Sequence, residues 1–310
     1  MMEKKPKQKL LLAIDGSERS FDAVRYVSKV APFRKMNVVL FNVFSNVPES
    51  YRDLEKDPQF SRAAREVRSW EMQQRKAMQT VMDKARETLI HSGFSDKAVK
   101  VVIQNRKKGI ARDIIQKAKG GYCAVVMGRR GEGDFKELVV GSVATKVVEK
   151  VSFLPVLLIG KIPPDEKVLV SVDGSENANR AVDFVASALG GSNYKITLLH
   201  VIRGDLEAEL PHLFVSGESV MEAIEEINAV FDEAKQRLMD AGFASHQITP
   251  KIVSGSRSRA GAIVQEARDG DYGTIVLGRR GLSKVKEFFM GRVSNKVIHT
   301  IRNRAVWVIT

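Results

Sequence analysis

LLLAIDGSERSFDAVRYV at residues 10–27 returns as VLVSVDGSENANRAVDFV at residues 168–185, an offset of 158. VVLFNV (38–43) returns as ITLLHV (196–201) at the same offset, too long a correspondence for accident. Further on the offset falls to 150. CAVVMGRRG (123–131) matches GTIVLGRRG (273–281), and VVGSVATKVVEK (139–150) matches FMGRVSNKVIHT (289–300). The chain therefore reads twice, and the eight-residue difference falls between Val43 and Val101, in a longer insertion of the first repeat.

Each repeat alternates short β-branched apolar runs with stretches of helical period, the pattern of parallel βαβ units. In repeat 1 this predicts strands at 9–14, 37–43, 99–103, 123–128 and 155–160, and helices near 18–30, 62–91, 109–119 and 142–151. Strands so continuously apolar must be covered on both faces. The predicted class is α/β: two tandem open parallel sheets of flavodoxin-like or Rossmann-like kind, each in three α/β/α layers. Ligands belong at the carboxyl ends of the strands, at the topological switch point. The Pro-rich, charged GKIPPDEK (160–167) is the expected linker, giving domains 1–160 and 165–310. Trp70, Met78, Val81, Met82, Ala85 and Leu89 have helical spacing and read as the buried face of a long helix.

With 310 residues and 44% apolar content, each repeat can bury its own core. The net charge of +13 belongs wholly to the first half: residues 1–160 hold 31 Lys and Arg against 18 Asp and Glu, while residues 161–310 hold 19 of each. Some of these cations lie near the start (Lys4, Lys5, Lys7, Lys9) and others along one helical stretch (Arg62, Arg65, Arg68, Arg75, Lys76) with little aromatic interleaving. That pattern reads as a solvated helix face, with an acidic partner or a membrane surface as the alternative, and disfavours nucleic acid as a partner. No apolar run approaches a membrane span, and the start lacks a secretory signal, so a cytoplasmic protein is expected. Cys123, the single cysteine, lies in an apolar run and reads as a buried thiol. The five histidines lack ligand spacing, and no nucleophile elbow is present.

The chemistry concentrates in loops at strand carboxyl ends. Asp15-Gly16-Ser17 closes the first strand; its carboxylate could hold ribose hydroxyls or a magnesium ion beside phosphates, or Asp15 and Ser17 could simply cap the next helix. After the fourth strand come Gly128-Arg129-Arg130-Gly131, nine residues, and Gly141-Ser142 opening a helix. Glycines admit close approach of a phosphate, and a helix N-terminus offers it unpaired N–H groups. The pattern is neither Walker A nor G-x-G-x-x-G, which excludes the usual NTPase and dinucleotide dehydrogenase readings.

Gly128, Gly131, Gly141 and Ser142 resemble the G-x-x-G, nine residues, G-[ST] signature of the ATP-binding branch of the universal stress protein family, and Asp15 and Val43 also match it. The resemblance covers nearly the whole chain as two copies. It implies strand order 3-2-1-4-5, with a fifth strand that pairs domains, so that the two repeats form an internal pseudo-dimer, with a homodimer and an unknown protein partner as further associations. It also implies a bound adenine nucleotide, ATP or AMP: Asp15 near the ribose, Val43 giving backbone bonds to adenine, and the glycines with Ser142 and Val143 around the phosphates. Such a protein is a stress-response sensor or regulatory module without strong catalysis. A slow ATP hydrolase or phosphotransferase using Asp15 and magnesium, or a basic scaffold, are the alternatives.

Repeat 2 keeps Asp173, Val201, Gly278, Gly281, Gly291, Val293 and Ser294 but places Arg292 where the signature has Ser or Thr. Either Arg292 fills the phosphate subsite with its own cation, or it reaches a bound phosphate as a charge-assisted donor. Arg129-Arg130 and Arg279-Arg280 lie inside the glycine loops, placed to clamp phosphates, to face solvent or to pair across a surface.

Overall fold

The computed structural model describes residues 8–45, 61–130, 140–160, 166–204, 220–282 and 290–310. Gly131, Lys4, Lys5, Lys7, His212 and the linker residues 161–165 lie outside them. Repeat 1 runs β1 (Lys9–Ala13), α1 (Glu18–Lys29), β2 (Asn37–Phe44), α2 (Ser61–His91), β3 (Val99–Asn105), α3 (Ile110–Ala118), β4 (Ala124–Gly128), α4 (Ser142–Lys150) and β5 (Val156–Ile159). Repeat 2 repeats the order as β6 (Lys167–Ser171), α5 (Glu176–Leu189), β7 (Lys195–Arg203), α6 (Val220–Asp240), β8 (Ile248–Ser256), α7 (Arg259–Asp269), β9 (Thr274–Gly278), α8 (Arg292–Thr300) and β10 (Ala305–Ile309).

The strands form one sheet in the order β3-β2-β1-β4-β5-β10-β9-β6-β7-β8. Each half has the expected 3-2-1-4-5 order with parallel neighbours, and the halves join through the antiparallel pair β5 and β10, Leu157 opposite Trp307. The two sheets are thus halves of one, and the repeats form a pseudo-dimer in which neither fifth strand is left as an open edge.

Side chains alternate between faces with the period of a strand. Leu10 and Leu12 enter one core with α1, α2, α5 and α6, whereas Leu11 and Ala13 enter the other with α3, α4, α7 and α8. On the first face the repeats interlock: the buried Trp307 ring stacks on Phe33 at 6.0 Å and meets Phe184 edge-on at 5.6 Å. Nearby, Tyr26 and Thr274 share a hydroxyl hydrogen bond of 2.7 Å between repeats.

The apolar stripe of α2 is only partly a buried face. Met82, Ala85 and Leu89 are fully buried, but Trp70 is 53% exposed. The reason is length: a helix of 31 residues spans about 46 Å at ~1.5 Å per residue, about twice the length of the seven-residue strand β3 at ~3.3 Å per residue. Only the second half of α2 has a sheet to lie on. Cys123 is half-buried, its Sγ 3.4 Å from the Lys9 carbonyl, and burial raises its thiol pKa. Among the described residues no helix is long and apolar enough to cross a membrane.

Candidate functional site

Both repeats build the end of their first strand alike. Ile14 N–H donates to Phe41 O (2.9 Å), and Val172 N–H to Leu199 O (2.9 Å), extending the parallel ladder one residue beyond the strand. The chain then turns through a glycine at positive φ, Gly16 (+89°) and Gly174 (+72°), a conformation that Cβ penalises. Asp15 Oδ1 accepts from the Ser17 N–H (3.0 Å) and hydroxyl (2.6 Å), while Ser17 Oγ caps α1 by accepting from Ser20 N–H (3.2 Å). In repeat 2, Asp173 Oδ1 accepts from Ser175 N–H (3.1 Å), and Ser175 caps α5. The capping role expected of the serine is present in both repeats, and the same serine also fixes the carboxylate.

The first glycine of each loop has a packing duty. A Cβ on Gly128 would stand 2.5 Å from Arg19 O, and one on Gly278 would stand 2.8 Å from Asn177 C. These positions are glycine because the first turn of α1 or α5 presses on the end of β4 or β9. Gly281 is different: a Cβ there would run into the Asp173 carboxylate, so the loop and the carboxylate lie against each other. Gly141 and Gly291 are the N-caps of α4 and α8, and their N–H groups donate to Arg129 O (2.6 Å) and Arg279 O (2.9 Å). Ser142 and Arg292 are accordingly the first helical residues, with Val143 and Val293 next. Ser294 is buried and spends its hydroxyl hydrogen on Gly278 O (2.7 Å), holding the glycine loop rather than facing a ligand as a donor. Val43 and Val201, buried near the ends of β2 and β7, occupy matching places.

The expectation for Arg129 is overturned. It is 2% exposed, and its guanidinium crosses to the Ile298 carbonyl at the carboxyl end of α8 in the other repeat. Arg279, 4% exposed, likewise donates to Val148 O, Val151 O (both 2.7 Å) and Glu149 O (2.6 Å) at the end of α4. Neither faces phosphate or solvent: carbonyls left open at a helix C-terminus attract a cation, and the pseudo-twofold brings each helix end to the opposite loop. Burial lowers the pKa of Arg129 to about 10, with Arg130 adding to the effect.

In repeat 2 the loops at the ends of β6, β7 and β9 enclose a cavity of about 770 Å³. Val172, Ile227, Val230, Ile263 and Leu277 supply its apolar walls; Asp173, Gly278, Gly281 and Gly291 supply its polar floor. Arg292 is among the residues that line the cavity. Loop residues 131–139 of repeat 1 lie outside the described residues. Among the described residues there is no group of three or more His, Cys, Asp or Glu able to hold a metal, so magnesium at Asp15 would depend on phosphate and water for its other ligands.

Several lining residues escaped the sequence reading. His200 holds the position of Asn42: Asn42 donates to Ile14 O (2.8 Å), and His200 Nδ1 lies 3.0 Å from Val172 O. A carbonyl only accepts, so Nδ1 carries the proton and Nε2 is an acceptor in the neutral ring. Burial lowers the His200 pKa, against the opposing pull of the Val172 carbonyl and Asp173. Arg203, Arg257, Arg259, Arg280 and Lys296 also line the cavity. Superposing VVLFNV on ITLLHV would have exposed the Asn-to-His exchange; ligand-spacing rules for histidine could not.

This geometry is that of a doubled flavodoxin-like module with a cavity at the switch point of its second half. The universal stress protein family model matches residues 7–160 and 166–308, and the chain belongs to that family. It is 26% identical over 139 residues to universal stress protein YxiE of Bacillus subtilis (strain 168), covering 42% of this chain and 90% of that protein. It is 22% identical over 232 residues to universal stress protein Slr1230 of Synechocystis sp., covering 74% of this chain and 70% of the relative. The crystal structure of a universal stress protein from Archaeoglobus fulgidus DSM 4304 superposes with a TM-score of 0.61 at 20% identity, covering 97% of this chain and 98% of that one.

Proposed function

We propose that this protein is an adenine-nucleotide-binding stress-response module, holding ATP or AMP to bias the packing of its repeats or its contact with a protein partner. The observation that carries the reading is the cavity of about 770 Å³ in repeat 2, a volume usual for a small-molecule site. A ribose over Asp173 would find a carboxylate already oriented by Ser175 N–H. Phosphates beside Gly291 would meet the N-terminus of α8 and the Arg292 guanidinium, a charge-assisted donor. In repeat 1 the same roles fall to Asp15, Val43, Gly141, Ser142 and Val143, and Asp15 is the residue that would hold a magnesium ion, which would offset phosphate charge.

Denaturing the purified protein and chromatographing the released small molecules tests this. An adenine nucleotide released from the native chain, and reduced by Asp15→Ala or Asp173→Ala, supports the reading. Nothing released, and no rise in melting temperature on adding ATP or AMP, would sink it.

A further inference from the structure

VVLFNV (38–43) and ITLLHV (196–201) exchange one polar residue, Asn42 standing where repeat 2 has His200. Both side chains reach the residue that follows the first strand of their repeat. Asn42 Nδ2 donates to Ile14 O at 2.8 Å, and His200 Nδ1 to Val172 O at 3.0 Å. A carbonyl only accepts, so it fixes the amide orientation in repeat 1 and the ring tautomer in repeat 2. What is left over in each case is an acceptor. Asn42 Oδ1 is buried, and neither it nor His200 Nε2 has a hydrogen-bond partner among the described residues. A buried acceptor left unmet costs stability, yet two different side chains keep an acceptor at the same place.

In repeat 2 that acceptor belongs to a ring lining the cavity. Phe231 of α6 meets the ring edge-on at 6.5 Å, and Ile252 of β8 is its neighbour in the ladder. Burial lowers the His200 pKa, against the pull of the Val172 carbonyl and Asp173 and with Arg259 adding to the lowering, so the ring is neutral at neutral pH. Glu226 of α6, Arg203 at the end of β7 and Arg257 before α7 are the other charged groups on this side of the cavity. Across the sheet the order is β9-β6-β7: the glycine loop follows β9, Asp173 follows β6, and His200 lies on β7. At a strand spacing of ~4.8 Å, His200 is rooted about 10 Å from the strand of the glycine loop. A nucleotide with its phosphates at the glycine loop and its ribose at Asp173 therefore brings its base to His200.

We propose that His200 Nε2 accepts a hydrogen bond from an amino group on the base of the repeat 2 nucleotide, and so selects an amino purine over a 6-oxo purine. This rests on the nucleotide reading above. ATP and ITP differ only at that group and the adjoining ring nitrogen, so the charge of the phosphates cancels in the ratio of their affinities. Titration calorimetry of the full chain carrying Asp15→Ala, which removes the repeat 1 carboxylate, reads the repeat 2 site. ATP should bind about tenfold tighter than ITP at about pH 7.5, the scale of one hydrogen bond made rather than opposed. At about pH 5 the protonated ring presents an N–H in place of the lone pair, and the ratio should fall about fivefold. His200→Leu should lose the preference at both pH values. His200→Asn, whose amide oxygen supplies the acceptor as Asn42 Oδ1 does, should keep it at both. No preference for ATP, one that does not move with pH, or one that survives His200→Leu would overturn this inference and leave the nucleotide reading standing. So would ATP binding that Asp15→Ala abolishes. Binding of neither nucleotide to the unaltered chain would overturn both together.

Discussion

The guanidinium of Arg279 donates to the carbonyl oxygen of Val151 at 2.7 Å, from one repeat into the other. The same side chain takes the carbonyls of Val148 and Glu149, closing the end of α4, while its own carbonyl accepts the N–H of Gly291 at the start of α8. One residue thus fixes the C-terminus of one repeat's site helix and the N-cap of the other's. Arg129 mirrors the arrangement through Gly141 N–H and Ile298 O. The halves are held by the β5–β10 ladder and also by the glycine loops.

The two arginines should not matter equally to stability. Arg279 satisfies three carbonyls, so Arg279→Met should cost about 3 kcal/mol in urea unfolding, by loss of charge-assisted bonds and exposure of unmet acceptors. Arg129 reaches Ile298 O while its Nε and Nη1 are buried with no hydrogen-bond partner among the described residues. Arg129→Met returns part of that desolvation cost and should lose less than about 1.5 kcal/mol. Equal losses, or the reverse order, would refute this account of the interface.

Gly128→Ala should destabilise the fold whether or not a ligand is present. The added methyl group would meet backbone atoms of Arg19 at 2.5 and 2.7 Å, which cannot move without shifting α1. A loss of about 2 kcal/mol or more is expected from such overpacking. Gly291→Ala, whose nearest contact would be 3.2 Å, should cost less. If thermal melts show the two variants alike, Gly128 has no special packing role.

Much of this was legible in the sequence, for identifiable reasons. Strands β1, β2 and β4 are buried on both faces, so their apolar runs are nearly unbroken, Asn42 in β2 being the exception, and the repeat itself supplied a second reading of each element. The carboxylates Asp15 and Asp173 announced themselves by their place at strand ends. What stayed hidden was direction. Arg129 and Arg279 sit in a glycine loop, and only the pseudo-twofold relation carries their side chains across to the other repeat. Likewise Arg203, Arg257 and Arg259 come to one end of the sheet only when β7 and β8 pair, because 53 residues of chain lie between Arg203 and Arg257.

The two tryptophans give a contrast in the same molecule. Trp307 is fully buried between Phe33 and Phe184, so Trp307→Leu, the residue its partner Leu157 already carries, should cost about 3 kcal/mol. Trp70 is 53% exposed, and Trp70→Ala should leave stability within about 0.5 kcal/mol. Urea unfolding followed by circular dichroism compares them. A large loss at Trp70 would mean that the first half of α2 is buried after all.

His200 should make the protein less stable on the acid side of neutrality. Burial holds its pKa below the ordinary 6.5, so as pH falls the unfolded chain takes up the proton first. Stability is then complete above pH 6.5 and drains away below it, until the folded His200 also protonates. His299, lowered by burial and by Arg129, adds a loss of the same sign. His200→Asn places the residue of repeat 1 at this position and can keep the bond to Val172 O without a titrating ring, as Asn42 does with Ile14 O. Urea unfolding at about pH 7.5 and about pH 5.5, above the range of ordinary carboxylates, should show a smaller loss in the variant than in the parent chain. A loss as large in the variant would assign the acid sensitivity elsewhere and leave His200 as a neutral hydrogen-bond donor only.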